Sequence, residues 1–178
     1  MPDYNLIYLK EPDYNLKDPQ KLSIIFSIIE TLDRNIEILD VGCGRGSYLS
    51  LLKSLGFNRI LGIEISSVCA EKYLQEFPHI VSDFISFAKD TPDKKYDLLL
   101  CMDVLEHIEP SEVDIFIDHI NRISKHSILG IANHSDVHQK VQLHLIEKPW
   151  HWWKEKLIKF NLIAQLHEGK FFMCENYG

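Results

Sequence analysis

Three glycines alternate in Asp40-Val41-Gly42-Cys43-Gly44-Arg45-Gly46-Ser47, where an apolar run ends and a helical pattern begins. Glycine accepts positive φ and lets a ligand approach bare backbone. The helix that follows offers unpaired N–H groups. At the carboxyl edge of a parallel sheet, such a turn is where a nucleotide-like ligand binds. Glu64 ends the next apolar run, Leu61-Gly62-Ile63-Glu64, and a carboxylate there can accept hydrogen bonds from both hydroxyls of a ribose. A phosphate-binding loop needs Gly-Lys-Ser/Thr, and Gly46-Ser47-Tyr48 has no lysine. The GxGxxG pattern of dinucleotide binding puts its last glycine at position 47, which is Ser47, so nicotinamide or flavin is the weaker reading.

A second constellation, Asp103-Val104-Leu105-Glu106-His107-Ile108, follows a later apolar run. If it turns helically, Asp103, Glu106 and His107 stand at i, i+3 and i+4 on one face. Two carboxylates and an imidazole have the chemistry to hold Mg²⁺ or Mn²⁺. His107 alone suits a general base for an acceptor hydroxyl, and that is the role assigned to it; no metal ligand is assigned. Further on, His134 and His138 are at i, i+4, suited to a metal on a helix, and His144 is a remote ligand or base; solvated histidines fit the same pattern. On a helix Trp150 and Trp153 share the core face, which leaves Trp152 for an aromatic pocket.

Together, Asp40–Gly46, Glu64 and Tyr96-Asp97 entering Leu98–Met102 resemble the class I S-adenosylmethionine-dependent methyltransferases. The likeness covers residues 36–133. It implies S-adenosylmethionine as cofactor, with the methionine moiety on the turn of Asp40, Gly42, Gly44 and Gly46 and the ribose on Glu64. It also implies that Asp83 and Phe84 flank the adenine and that Met102 and Asp103 lie near the cofactor. The Asp103–His107 segment is similar to two metal-using branches, the ubiquinone-pathway O-methyltransferases and the small-RNA 3′-terminal 2′-O-methyltransferases. The implied activity is methyl transfer to a small-molecule acceptor, foremost a hydroxyl of a metabolite or sugar-like compound. RNA ribose methylation and a non-catalytic, cofactor-binding regulatory role stay open as alternatives.

The elements that must hold these residues are legible as short β-branched runs alternating with amphipathic stretches. That pattern predicts an α/β fold: a Rossmann-like, doubly wound, mostly parallel seven-stranded sheet ending in an antiparallel hairpin. A helix starts at Asp18-Pro19, with Leu22, Ile25, Phe26, Ile29 and Leu32 as its buried stripe. Strands are expected at Ile36–Val41, Arg59–Ile63, His79–Ser82, Tyr96–Met102 and Ser127–Ala132. Helices are expected at Ser47–Leu55, Val68–Phe77, Glu112–Ser124 (with Ser111 and Asp114 as a capping pair) and Trp150–Lys159. Asn161–His167 and Lys170–Glu175 flank Glu168-Gly169 as the closing hairpin.

The 178 residues suit one domain spanning 1–178, with residues 134–153 as the acceptor-binding region. Pro2-Asp3-Tyr4-Asn5-Leu6 recurs as Pro12-Asp13-Tyr14-Asn15-Leu16, which makes residues 1–17 either a lid carrying Tyr4 and Tyr14 or an arm packed on the surface. Lys and Arg total 19 against 26 Asp and Glu, a net charge of -7, which makes nucleic acid a poor partner. No apolar run is long enough to cross a membrane, the start lacks the basic-then-apolar pattern of a secretory signal, and Cys43, Cys69, Cys101 and Cys174 include no CxxC pair. A cytoplasmic protein with reduced thiols is expected; oligomeric state is not legible.

Overall fold

The computed structural model describes residues 2–16, 18–138, 140–166 and 170–176. A short helix, α1 (Tyr4–Lys10), is capped by Asp3, whose carboxylate accepts the Leu6 N–H. Helix α2 (Pro19–Ile29) begins as expected. The Asp18 carboxylate accepts the N–H groups of Gln20 at 2.9 Å and Lys21 at 3.2 Å, and Pro19 sits where no donor is needed. Leu22, Ile25 and Ile29 are buried, but Phe26 is 38% exposed. It lies about 100° round the helix from Ile25, at the margin of the stripe.

The strands are β1 (Ile38–Val41), β2 (Ile60–Glu64), β3 (His79–Val81), β4 (Tyr96–Met102), β5 (Ser124–Gly130), β6 (Val137–His138), β7 (Val141–Gln142), β8 (Phe160–Leu166) and β9 (Phe171–Asn176). Seven form one sheet in the order β3-β2-β1-β4-β5-β9-β8, and β6 pairs with β7 in a separate hairpin. The β3, β2, β1, β4 and β5 neighbours are parallel, while β9 runs antiparallel to β5 and β8. This is the expected mostly parallel sheet with its antiparallel end. The Glu168-Gly169 turn lies outside the described residues.

The remaining helices are α3 (Ser47–Ser54), α4 (Ser67–Tyr73), α5 (Phe84–Lys89), α6 (Val113–Ile123) and α7 (Trp150–Lys156), the last continued by a 3₁₀ turn at Leu157–Lys159. Helix α6 buries Val113, Phe116, Ile117, Ile120 and Ile123, about 1.5–3 kcal/mol for each large side chain. The Ser111–Asp114 cap does not form. Glu112 is the N-cap without a side-chain bond, and the Asp114 carboxylate instead takes Lys156 Nζ at 2.8 Å, tying α6 to α7. Strand β5 begins at Ser124 directly after α6, where Ser124 Oγ donates to the Ile120 carbonyl and accepts from Asn176 Nδ2. Among the described residues no helix is long and apolar enough to cross a membrane.

The sheet reverses its winding at β1: β2 lies on one side and β4 on the other, with Val41 opposite both Ile63 and Cys101. The carboxyl ends of these three strands therefore share one edge. Gly42, Glu64 and Asp103 all emerge there, in the crevice where open α/β sheets bind ligands.

Candidate active site

Gly42, Gly44 and Gly46 all have positive φ, at 66°, 51° and 76°. The turn runs so close to its neighbours that a Cβ on Gly42 would lie 2.4 Å from Val104 Cγ2 and one on Gly44 would lie 2.3 Å from Asn15 Nδ2. Gly46 faces Leu74 and Phe77 in the core, so it shapes the turn without lining the crevice. The turn holds Glu64 directly. The Gly44 N–H donates to Oε2 at 2.9 Å, and the Ser66 N–H donates to Oε1 at 2.8 Å. Burial pushes the Glu64 carboxyl up, and the backbone N–H groups of Ser66, Gly44 and Ile65 pull it back.

A cavity of about 340 Å³ opens at this edge. Val41, Gly42, Glu64, Asp83, Phe84, Asp103 and His107 line it, so it gathers residues from the ends of β1, β2, β3 and β4. Tyr4, Tyr8, Tyr14 and Asn15 of the N-terminal segment also line it. That segment is fastened to the turn: Arg45 Nε donates to the Tyr14 carbonyl at 2.9 Å and Arg45 also bonds the Pro12 carbonyl. Asn5 Oδ1 accepts from Ser66 Oγ at 2.8 Å and from the Val68 N–H at 3.2 Å. Burial pushes the hydroxyls of Tyr4, Tyr8 and Tyr14 far up, so they stay protonated.

Two residues implied by the resemblance stand elsewhere. Asp40 is 1% exposed and lies behind the turn; its Oδ2 has no hydrogen-bond partner, and burial, then the nearby Glu64, pushes its carboxyl up to about 8. Met102 packs in the core, where its Cε fills the space a Cβ on Gly130 would need, and it borders only a smaller adjoining cavity. Asp83 caps α5 through the Ser86 N–H at 2.8 Å and also lines the larger cavity, so ligand contact and helix cap are compatible.

Asp103, Glu106 and His107 do not share a helical face. Asp103 has φ 55°, and only Leu105–His107 form a 3₁₀ turn. Asp103 turns to Lys21 Nζ at 2.5 Å, while Glu106 turns inward and accepts the Ala132 N–H on Oε1 at 2.7 Å. His107 Nδ1 lies 3.0 Å from the Leu143 carbonyl, which can only accept, so Nδ1 carries the proton and Nε2 keeps its lone pair. Burial, then His144, lowers the His107 pKa to about 4, so the ring is neutral at pH 7. His144, 37 residues further on, is brought against His107 with ring centroids 4.7 Å apart because the Leu145 and Ile146 N–H groups bond the Glu106 carbonyl.

The donor atoms of Glu106, His107 and His144 lie within 4.8 Å of one another. Glu106 Oε2 is buried without a hydrogen-bond partner, and burial, then Asp103, pushes the carboxyl up to about 8. One carboxylate and two imidazoles suit a first-row divalent cation. His134 and His138 form no such pair. The segment is extended at Val137–His138, the His134 ring lies tilted against His144, and His138 bonds Glu11 and Asp136. Trp152 lines neither cavity. It packs edge-on against the fully buried Trp153, with Lys156 Nζ 5.2 Å above its ring.

Residues 14–167 match the model of a family described as a methyltransferase domain. The chain belongs to that family. This methyltransferase-domain chain is 33% identical over 112 residues to the ubiquinone biosynthesis O-methyltransferase of Rickettsia felis, an overlap covering 54% of this chain and 46% of that protein. The chain thus spans about half the length of the curated relatives it matches first. Its fold is shared with a SAM-dependent methyltransferase from Archaeoglobus fulgidus (TM-score 0.70, 20% identity, 93% of this chain and 80% of that one). It is shared too with magnesium protoporphyrin IX methyltransferase from Synechocystis PCC 6803 with bound SAM (TM-score 0.63, 19% identity, 88% and 77%).

Proposed function

We propose that this protein is an S-adenosylmethionine-dependent methyltransferase acting on an oxygen of a small-molecule acceptor. The observation that carries the reading is Glu64, a buried carboxylate in the cavity wall, oriented by the Gly44 and Ser66 N–H groups. A carboxylate offers about four acceptor sites, so Glu64 keeps acceptor capacity for a ribose hydroxyl beyond its backbone donors. Family membership supports methyl transfer, and the activity named for the Rickettsia felis relative, O-methylation in ubiquinone biosynthesis, supports a hydroxyl acceptor. The net charge of -7 supports a small molecule over nucleic acid. The four free, buried cysteines fit a cytoplasmic protein.

Bound S-adenosylmethionine supplies a methyl group that is already electrophilic. The protein's part is alignment, worth on the order of 7–11 kcal/mol of barrier. Neutral His107, with its Nε2 lone pair free, takes the acceptor's hydroxyl proton. Phe84, Asp83 and Ile85 border the adenine, and Tyr4, Tyr8 and Tyr14 act as a lid that keeps water out; the 134–153 region bears on the acceptor through His144, which lies against His107. Calorimetric titration with S-adenosylhomocysteine tests the cofactor, and mass-spectrometric detection of methyl transfer to a panel of phenols and sugars tests the acceptor. Absence of binding by folded protein removes the reading.

The orphaned Glu106 Oε2 favours a second reading of the same site, in which Glu106, His107 and His144 hold a divalent cation. Such an ion would act as a Lewis acid toward an acceptor oxygen. His107 would then be a ligand and not the base.

A further inference from the structure

The N-terminal segment is joined to the far side of the cavity at one further point. Just beyond α1, the Glu11 carboxylate reaches the β6–β7 hairpin and bonds His138 Nδ1. The other ring nitrogen, Nε2, lies 3.1 Å from Asp136 Oδ1. Tyr14 stands edge-on to the same ring, with centroids 5.1 Å apart. Glu11, Asp136 and Tyr14 are the titratable groups against His138 among the described residues; Lys140, on the hairpin turn, is exposed. Burial keeps the Tyr14 hydroxyl protonated.

Both ends of the contact are anchored. The Glu11 N–H bonds the Ile7 carbonyl at 2.8 Å, and its carbonyl takes the Tyr14 N–H at 3.1 Å. On the hairpin, the Asp136 carbonyl accepts the N–H of the fully buried Leu143 at 2.8 Å, and the Leu143 carbonyl in turn orients His107. A neutral imidazole has one N–H, whereas two carboxylates on its two nitrogens need two. The contact is therefore complete only with an imidazolium. Histidine ordinarily changes charge between pH 5 and 8. Once the proton is lost, one carboxylate faces a bare lone pair and that link becomes repulsive. The other fasteners of the segment hold their charge between pH 5.5 and 8.5. Arg45 stays cationic, Asn5 is neutral, the Tyr4 hydroxyl keeps its proton and His107 is already neutral.

We propose that Glu11, His138 and Asp136 form a proton-operated clasp that holds the N-terminal segment shut over the cavity and so sets the rate at which the cofactor exchanges. The shut segment binds the proton more tightly than the open one, so closure strengthens as pH falls and weakens as pH rises. His138 is a positioning residue: it acts through the segment that brings Tyr4 to His107. The role in cofactor exchange rests on the cofactor reading given above, while the clasp itself is a property of the chain alone.

The test therefore has one readout without ligand and one with it. Amide hydrogen exchange of α1, corrected for its intrinsic pH dependence, reads closure at pH 5.5 and 8.5, and the β4 amides report that each protein is folded. In the wild type, α1 protection is expected to fall about 3- to 10-fold at the higher pH, the worth of one charge-assisted bond at a partly exposed site. His138→Ala has the weaker protection at both pH values. In Glu11→Gln the amide donates to Nδ1 while Nε2–H serves Asp136, so a neutral ring completes both bonds and protection stays high at both pH values. The dissociation rate of S-adenosylhomocysteine, by stopped flow, is expected to follow the same order: rising with pH in the wild type, flat in Glu11→Gln, fast throughout in His138→Ala. Parallel pH responses of α1 in the wild type and Glu11→Gln overturn the clasp, and so does wild-type protection in His138→Ala. A clasp seen by exchange with dissociation rates that ignore it overturns the role in cofactor exchange. No binding of S-adenosylhomocysteine to the wild type overturns the cofactor reading and that role, and the amide exchange alone then decides the clasp.

Discussion

Tyr4 and His107 lie 103 residues apart in sequence, yet the Tyr4 hydroxyl oxygen is 2.9 Å from His107 Nδ1. The N-terminal segment therefore touches the proposed base directly, at its Nδ1 edge and not at Nε2. Tyr4→Phe removes this contact and leaves the Leu143 carbonyl to orient the ring. At saturating cofactor it is expected to lower kcat by about 3- to 10-fold, whereas His107→Ala lowers it by about 10²- to 10⁴-fold. Steady-state kinetics on the acceptor found in the panel checks both. Equal losses in the two variants contradict a supporting role for Tyr4.

Asp40 gives a pH signature in the folded protein without ligand. Its carboxyl is raised from 3.8 to about 8 by burial, with no partner for Oδ2. A raised folded-state pKa means that the native state holds the proton longer than the unfolded chain. The stability tied to this group is present in full below about pH 4, falls as pH rises, and is lost above about pH 8. Asp40→Asn cannot ionise, so its unfolding free energy loses this downward slope, and it exceeds the wild type by a few kcal/mol at pH 8. Urea denaturation at pH 5 and pH 8 measures it; parallel pH slopes in the two proteins count against it.

Gly62 supports the turn from the neighbouring strand. A Cβ there would lie 2.7 Å from Cys43 Sγ and 2.8 Å from Leu49 Cδ1. Gly62→Ala is expected to lower stability by about 1–3 kcal/mol, as overpacking does, and to weaken S-adenosylhomocysteine through the displaced turn. Thermal melts and titration read the two effects. A variant with wild-type melting temperature contradicts the close packing of β2 on the turn.

The cation reading has its own measurement. Equilibrium dialysis with Mn²⁺ or Zn²⁺ is expected to give one bound ion per chain, lost in Glu106→Gln and in His144→Ala, with no acceptor needed. Equal metal uptake by wild type and both variants removes this cluster as the ligand set.

Much of the frame was legible in the sequence because its signals are local. Tyr96–Met102 coincides with β4, and the Asp18-Pro19 start of α2 is a matter of neighbouring atoms. The glycine turn and Glu64 were legible for the same reason, since each closes an apolar run. What was missed is non-local or conformational. Reading Asp103, Glu106 and His107 as one face assumed helical backbone at 103, and the positive φ of Asp103 sends its carboxylate to Lys21 instead. His144 joins Glu106 and His107 through backbone bonds to the Glu106 carbonyl, which no spacing rule contains. Helix α5 is only six residues long, too short to show a helical period, and the burial of Tyr8 in α1 depends on α4 lying beneath it.

The most direct measurement is the affinity of S-adenosylhomocysteine for the wild-type protein and for Glu64→Ala, by calorimetry on samples whose folding is verified by circular dichroism. A ribose held by this carboxylate requires binding by the wild type and a loss of about 30-fold or more on truncation, the worth of a charge-assisted hydrogen bond to a ribose hydroxyl. Equal affinities in the two folded proteins, or no binding by the wild type, contradict it.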